Sequence, residues 1–132
     1  VAAIEWQVKE FTRHSNVPCA LTDTVQALDI SSEQSTALLR ILQEALTNVA
    51  RHANATQVHV VLQMDGEELR LAIQDNGKGM TKDQWSNVRS FGIASMHERA
   101  LVLGGQIQIT SAPKEGTTVA VHVPLKKLLA RL

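Results

Sequence analysis

The chain has one cysteine among 132 residues. Cys19, beside Pro18, cannot close an internal disulfide, so the fold rests on its core; a lone thiol is compatible with a reducing compartment and reads as buried rather than reactive. Net charge is also missing, with Lys+Arg and Asp+Glu at 13 each. Nor is there a long run of one sign, which argues against a nucleic-acid groove or an anionic lipid surface as a direct ligand. No apolar run is long enough to span a bilayer, and no charged segment leads into an apolar run and cleavage site. Two phosphate-binding signatures are absent too: GxxxxGK[ST] does not occur, and Gly77-Lys78-Gly79 lacks the third glycine of a dinucleotide fingerprint. The histidines offer no pair with convincing metal-ligand spacing.

What is present is ordinary globular material, 44% hydrophobic and 20% charged, enough to offset chain-ordering entropy in one domain spanning residues 1–132. Ile4, Val8 and Phe11 recur at helical spacing before Asn16 and Pro18 interrupt them. Val17 to Thr22 alternates weakly and reads as an edge strand, a place where the donor missing at Pro18 is tolerated. Together these make an N-terminal unit, residues 1–30.

The core of the reading is 31–125. Ser31 as N-cap and Gln34 three residues later form a capping box in front of a long helix that stops at Asn54. Leu38, Leu42, Ala45, Leu46, Val49 and Ala53 share one face; Arg40, Glu44, Asn48 and either Arg51 or His52 form a polar stripe at four-residue steps. The period then changes to two. Val58, Val60, Leu62 and Met64 alternate with polar residues, Asp65-Gly66 makes a hairpin turn, and Leu69, Leu71 and Ile73 resume the alternation.

Asp75-Asn-Gly-Lys-Gly79 breaks that strand, and a polar loop with Trp85 and Val88 as its large apolar groups follows as far as Ser90. A further helix spans about Ile93 to Leu103 and ends at Gly104-Gly105. Gln106–Ser111 and Thr117–Val123 are strands around a loop with Pro113 and Gly116, and 126–132 is an amphipathic tail. Helices, an antiparallel hairpin and late strands without strict βαβ alternation predict an α+β fold, a two-layer sandwich with helices on one face of a mixed, mainly antiparallel sheet.

For chemistry, Glu44 and Asn48 lie one helical turn apart and could offer hard oxygens to one Mg²⁺, with Arg51 and His52 a turn further on for a phosphate or a base. An E-x-x-x-N pair alone describes a solvated helix face, and D-N-G alone usually marks a turn. Their order along the chain is what lifts them. LLRILQEALTNVARHA, DNGKGM, SFGIASMHERALVLGG and EGTTVAVHVP, between Ser31 and Leu125, closely resemble the ATP-binding domain of histidine kinases, in the ATPase superfamily of gyrase and mismatch-repair proteins. MHERALVLGG is similar to the subfamily whose response regulators carry a helix-turn-helix output domain.

That resemblance implies a Bergerat-type ATP-binding fold with ATP and Mg²⁺ as cofactors. It implies Asp75 as the acid that accepts the adenine N6 hydrogen, with Gly77 and Gly79 letting the backbone approach the base. Thr117, after Gly116, would close the adenine pocket. Asn48 would coordinate Mg²⁺ with Glu44 in support, Arg51 would contact phosphate, and His52 would pack on the nucleotide. Gly92 matches the first glycine of a G-L-x-G-M pattern. Ser95 stands where that pattern has its second glycine, and a serine there could N-cap the helix that follows.

The family's phosphoacceptor histidine sits in a motif such as E-L-H-D, and nothing before Ser31 matches it. His97-Glu98 imitates the dipeptide on a surface position. The resemblance thus implies a monomeric, cytoplasmic catalytic domain that gives the γ-phosphoryl of Mg-ATP to a histidine on a separate dimerisation and phosphoacceptor domain, and thereby serves a response regulator. Membrane attachment of the parent kinase is left open. The alternatives are an ATPase in which Glu44 activates water, a serine kinase of the same superfamily, or a non-catalytic interaction module, to which only Ser95 points.

Overall fold

The computed structural model describes residues 2–25, 30–79, 83 and 92–124. The expected polar loop with Trp85 and Val88 and the expected tail at 126–132 lie outside them.

Helix α1, Ala2–Ser15, buries Ile4, Val8 and Phe11 as their spacing predicts. It ends where Asn16 turns left-handed (φ 58°) and donates its N–H to the Thr12 carbonyl at 3.0 Å, a common use of asparagine after a helix. Strand β1 is Cys19–Asp23 rather than Val17–Thr22. The shift follows from Pro18: with no N–H to give, it contributes only its carbonyl, which accepts from Val58 N–H at 2.9 Å.

Helix α2, Ser32–Asn48, begins at the predicted capping box. The Ser31 hydroxyl accepts the Gln34 N–H and the Gln34 side chain accepts the Ser31 N–H, each at 3.0 Å. Its buried face carries Leu38, Ile41, Leu42, Ala45 and Leu46. The helix does not run on as regular α to Asn54, as the periodicity suggested. Val49–Ala53 form a π-helical turn, closed by Asn54 in the left-handed region (φ 54°). At its end, the Ala53 carbonyl accepts the Lys78 N–H at 2.7 Å, a bond that no local pattern reveals. π turns of this kind recur at functional sites.

Strands β2, Val58–Asp65, and β3, Glu68–Asp75, form the expected hairpin. Asp65 pairs with Glu68, so the two-residue loop is Gly66-Glu67, one position later than predicted. Gly66 (φ 67°) takes the first loop position, the one that needs positive φ when the second does not. Helix α3, Ile93–Val102, ends in a Schellman motif: Gly105 N–H donates to the Ala100 carbonyl and Gly104 N–H to that of Leu101, both at 3.0 Å. Strands β4, Gln106–Ser111, and β5, Thr117–Pro124, complete the sheet.

The strand order is β1-β2-β3-β5-β4, with β1 parallel to β2 and every other pair antiparallel. Cross-strand pairs Val60↔Ile73, Leu62↔Leu71, Ile73↔Val119 and Leu71↔Val121 set one apolar face of this sheet under the helices, and their side chains join Ile41, Leu42 and Met96 in a continuous core. The predicted two-layer α+β sandwich is the observed architecture. Register also fixes the site: Asp75, the last residue of β3, lies opposite both Thr117, the first of β5, and Val58, the first of β2. Three strand ends meet at one edge of the core.

The N-cap should carry measurable stability. Ser31→Ala removes one half of the capping box and is expected to cost about 1 kcal/mol. Urea unfolding measures it, and an unchanged midpoint would mean that tertiary contacts alone hold the start of α2.

Candidate active site

Among the described residues Asp75 is the one polar side chain that is buried, 7% exposed. Its carboxylate accepts the Gly77 N–H at 2.8 Å and the Thr117 N–H. Burial nonetheless dominates those two donors and raises its pKa above the ordinary value. A carboxylate held this way keeps acceptor capacity to spare, because it offers about four lone-pair directions.

The cavity it faces is apolar. Ala45, Asn48, Val49, His52 and Ala53 from α2 and the π turn form one wall, and Ile93 and Met96 of α3 form the end. Ile73, Ile109 and Val119 form the sheet side, with Asp75, Gly79 and Thr117 at the rim of the strands. Largely apolar walls with a buried carboxylate among a few polar groups suit a flat heteroaromatic ring that carries an N–H donor. The Thr117 hydroxyl is held 2.8 Å from the Ser111 hydroxyl, and Ser111 also donates to the Gly116 carbonyl at 3.2 Å.

The loop after Asp75 is fixed rather than left as a plain turn. Asn76 Oδ1 accepts the N–H groups of Thr56 and Gln57 at 2.9 and 3.0 Å, its Nδ2 donates to the Thr56 hydroxyl at 2.9 Å, and its own N–H donates to the Gln57 carbonyl at 3.3 Å. This clamp ties the end of β3 to the residues leading into β2. Gly77 lies so close to the Ala53 carbonyl that a Cβ would collide with it, and Gly79 (φ 69°) stands in the same relation to the Ala112 carbonyl. Both glycines are therefore required by the protein's own backbone, not only by the approach of a base.

The sequence-derived residues fall into two neighbouring groups. Asn48, His52, Asp75, Gly79 and Thr117 surround the apolar slot, with Gly77 behind it. Glu44 and Arg51 open instead on a polar basin between α2 and α3, shared with Arg40, Ser95 and Arg99. Gly92 sits at the join, in a left-handed conformation (φ 62°) against the Glu44 carboxylate. Ser95 does not N-cap α3: Gly92 holds that position, and Ser95 is the third residue of the helix. Among the described residues no three His, Cys, Asp or Glu side chains gather to hold a metal ion. Any cation here would take one or two protein oxygens and complete its shell with phosphate and water, the pattern Mg²⁺ favours.

Of the positioning residues, Asn76 and Ser111 were not anticipated. Asn76 was hidden inside a turn-like D-N-G, and Ser111 acts only through a strand register that the sequence does not print. Of the other histidines, His59 meets the Thr22 hydroxyl at 2.8 Å, His122 meets Glu68 at 2.8 Å, His14 meets Glu10 at 3.0 Å, and His97 is exposed. Cys19 is half-buried, and desolvation pushes its thiol up to about 11, which suits an inert side chain.

Residues 33–127 match the family described as histidine kinase-, DNA gyrase B- and HSP90-like ATPases. The chain belongs to this family. It is an ATP-binding ATPase-family domain of the kind sensor histidine kinases carry. It is 40% identical over 111 residues to the sensor protein VraS of Staphylococcus epidermidis, covering 84% of this chain and 32% of that protein. It is 43% identical over 101 residues to the sensor histidine kinase LiaS of Bacillus subtilis, covering 76% and 28% respectively. The chain thus spans about a third of the curated relatives it matches. In fold it is similar to the histidine kinase domain of the blue-light activated histidine kinase EL346 of Erythrobacter litoralis, with a TM-score of 0.79, 22% identity, and coverage of 96% of this chain and 63% of that one.

A carboxylate whose charge is opposed by burial costs folding stability. Because the pKa of Asp75 is raised by folding, the folded state binds its proton more tightly than the unfolded chain. Stability therefore falls as pH rises from the ordinary aspartate range, near ~4, through the raised value. Asp75→Asn removes this dependence. The ligand-free variant is expected to melt a few degrees above the parent at neutral pH, with the gap closing below about pH 4. Thermal melts of both proteins across pH check this; a gap that does not narrow in acid would contradict the buried-carboxylate account.

Proposed function

We propose that the chain is the catalytic domain of a sensor histidine kinase, working in the cytoplasm. It would bind Mg-ATP and supply the γ-phosphoryl group to a histidine on a separate dimerisation and phosphoacceptor domain, from which a response regulator receives it. The observation that carries this reading is the buried Asp75 carboxylate, with acceptor capacity to spare, at the rim of an apolar slot. The family match and the names of the relatives support the wider assignment.

In this reading Asp75 accepts the N6 hydrogen of adenine, and the Thr117 hydroxyl, steadied by Ser111, closes the same end of the slot. The walls from Val49 to Ala53 and from Ile93 to Met96 exclude water from the ring faces. Asn48 and His52 mark where the ribose and phosphates leave the slot, and Glu44, Arg51 and Gly92 lie where they would arrive. Asn48 and Glu44 are the residues that would hold Mg²⁺, which neutralises phosphate charge when bound. The protein's own part is to position the nucleotide and stabilise its charge, because phosphoryl transfer asks little covalent chemistry of the enzyme.

Calorimetry with ADP tests the reading. Asp75→Asn turns an amide donor toward the adenine amino group or loses the charge-assisted bond, and is expected to weaken binding by at least about tenfold. Equal affinity of parent and variant would remove Asp75 from the site. Asn48→Asp is expected to alter the effect of Mg²⁺ on ADP affinity more than the affinity without metal; an identical metal effect in variant and parent would detach Asn48 from the cation. Incubated alone with labelled ATP, the chain should form no phosphohistidine, and label on any of its five histidines would contradict a separate acceptor.

A further inference from the structure

The polar basin between α2 and α3 holds more positive charge than the motif residues account for. Arg40 and Arg51 come from the α2 side and Arg99 from α3, against one carboxylate, Glu44. Among the described residues neither Arg51 nor Arg99 makes an ion pair: the salt bridges join Glu10 to Arg13 and His14, and Glu68 to His122. Two unneutralised guanidinium groups facing one cavity of about 330 Å³ repel each other unless an anion lies between them. Arginine's planar fork suits phosphate oxygens in particular.

The basin adjoins the nucleotide slot. Asn48 lines the slot while Glu44, one turn earlier on the same helix, lines the basin; Met96 lines the slot while its neighbour Ser95 lines the basin. A chain of phosphates leaving the slot past Asn48 enters the basin at Glu44, Arg51 and Ser95. The first turn of α3, led by Gly92, adds backbone N–H groups to that end. Arg99 lies one turn beyond Ser95, across from Arg51. Arg40 is at the far end: eleven residues before Arg51, it stands about 16 Å away along the helix axis. Its guanidinium is already engaged with Gln43 at 3.5 Å.

We propose that Arg99 is a terminal-phosphate contact that makes the domain prefer nucleoside triphosphate over diphosphate, with Arg40 taking no part. The proposal rests on the nucleotide reading given above and adds to it a residue from α3. Arg99 is exposed on its helix, so its removal leaves the core intact.

Calorimetry with ATP, ADP and AMP, on the parent, Arg99→Ala and Arg40→Ala, is the test. Arg99→Ala should weaken ATP binding about tenfold, as the loss of a charge-assisted bond does, while ADP changes less than about twofold and AMP not at all. Arg40→Ala should leave the ATP-to-ADP ratio as in the parent. An unchanged ratio in Arg99→Ala overturns the proposal, and so does an equal loss in Arg40→Ala, which would mean diffuse charge rather than a contact. Inorganic tripolyphosphate separates this failure from failure of the adenine reading. If the parent binds neither AMP nor ADP but binds tripolyphosphate in an Arg99-dependent way, the adenine reading falls and Arg99 stands. If tripolyphosphate binding does not depend on Arg99, the contact falls whatever the adenine result.

Discussion

A carboxylate buried at the end of a strand is the constraint around which this domain is arranged. Asp75 is out of water, its charge opposed by burial and met, among the described residues, by the amides of Gly77 and Thr117. Such a group is costly unless its surroundings are fixed, since the low dielectric that strengthens a made bond also penalises a missing one. The surroundings are fixed accordingly. Antiparallel pairing places Thr117 directly opposite Asp75, Asn76 ties the end of β3 to the start of β2 with four hydrogen bonds, and Gly77 and Lys78 lock onto Ala53.

That last contact links the sheet to the helix. The Ala53 carbonyl is engaged by the loop, and the final turn of the long helix takes π geometry over Val49–Ala53. Asn48 with His52 and Val49 with Ala53, each pair four residues apart, line the slot, while Thr47 and Arg51 line the basin. One short segment thus lines both the apolar slot and the charged basin. In the proposed reading, phosphate would meet side chains on two facing helices rather than a glycine-rich turn.

Much of this was legible in the residues. The capping box at Ser31 and Gln34, the buried seam from Leu38 to Ala53 and the alternation from Val58 to Ile73 are local patterns with local causes, and the structure follows them. The two-layer fold follows from those elements. Two misplacements have different origins: β1 starts two residues late because Pro18 has no N–H to give, and the π turn at Val49–Ala53 is not encoded in the periodicity. The site was legible as an ordered set of motifs, through resemblance, but its division into an apolar slot and a basic basin was not. Glu44 and Asn48 look equivalent at a four-residue spacing and yet open on different cavities. Ser95, which could have been a helix cap, is instead a basin residue, because Gly92 with its positive φ already begins α3.

The central claim is that Asp75 recognises a base through an N–H donor of that base. Purine riboside triphosphate carries a hydrogen atom where ATP carries the amino group and keeps the neighbouring ring nitrogen an acceptor. Titration of the unaltered domain with both nucleotides, at one Mg²⁺ and salt concentration, therefore isolates the amino-group contact. The account predicts that ATP binds at least about tenfold more tightly, because without the donor the buried carboxylate is left unpaired. Equal affinity for the two would contradict it.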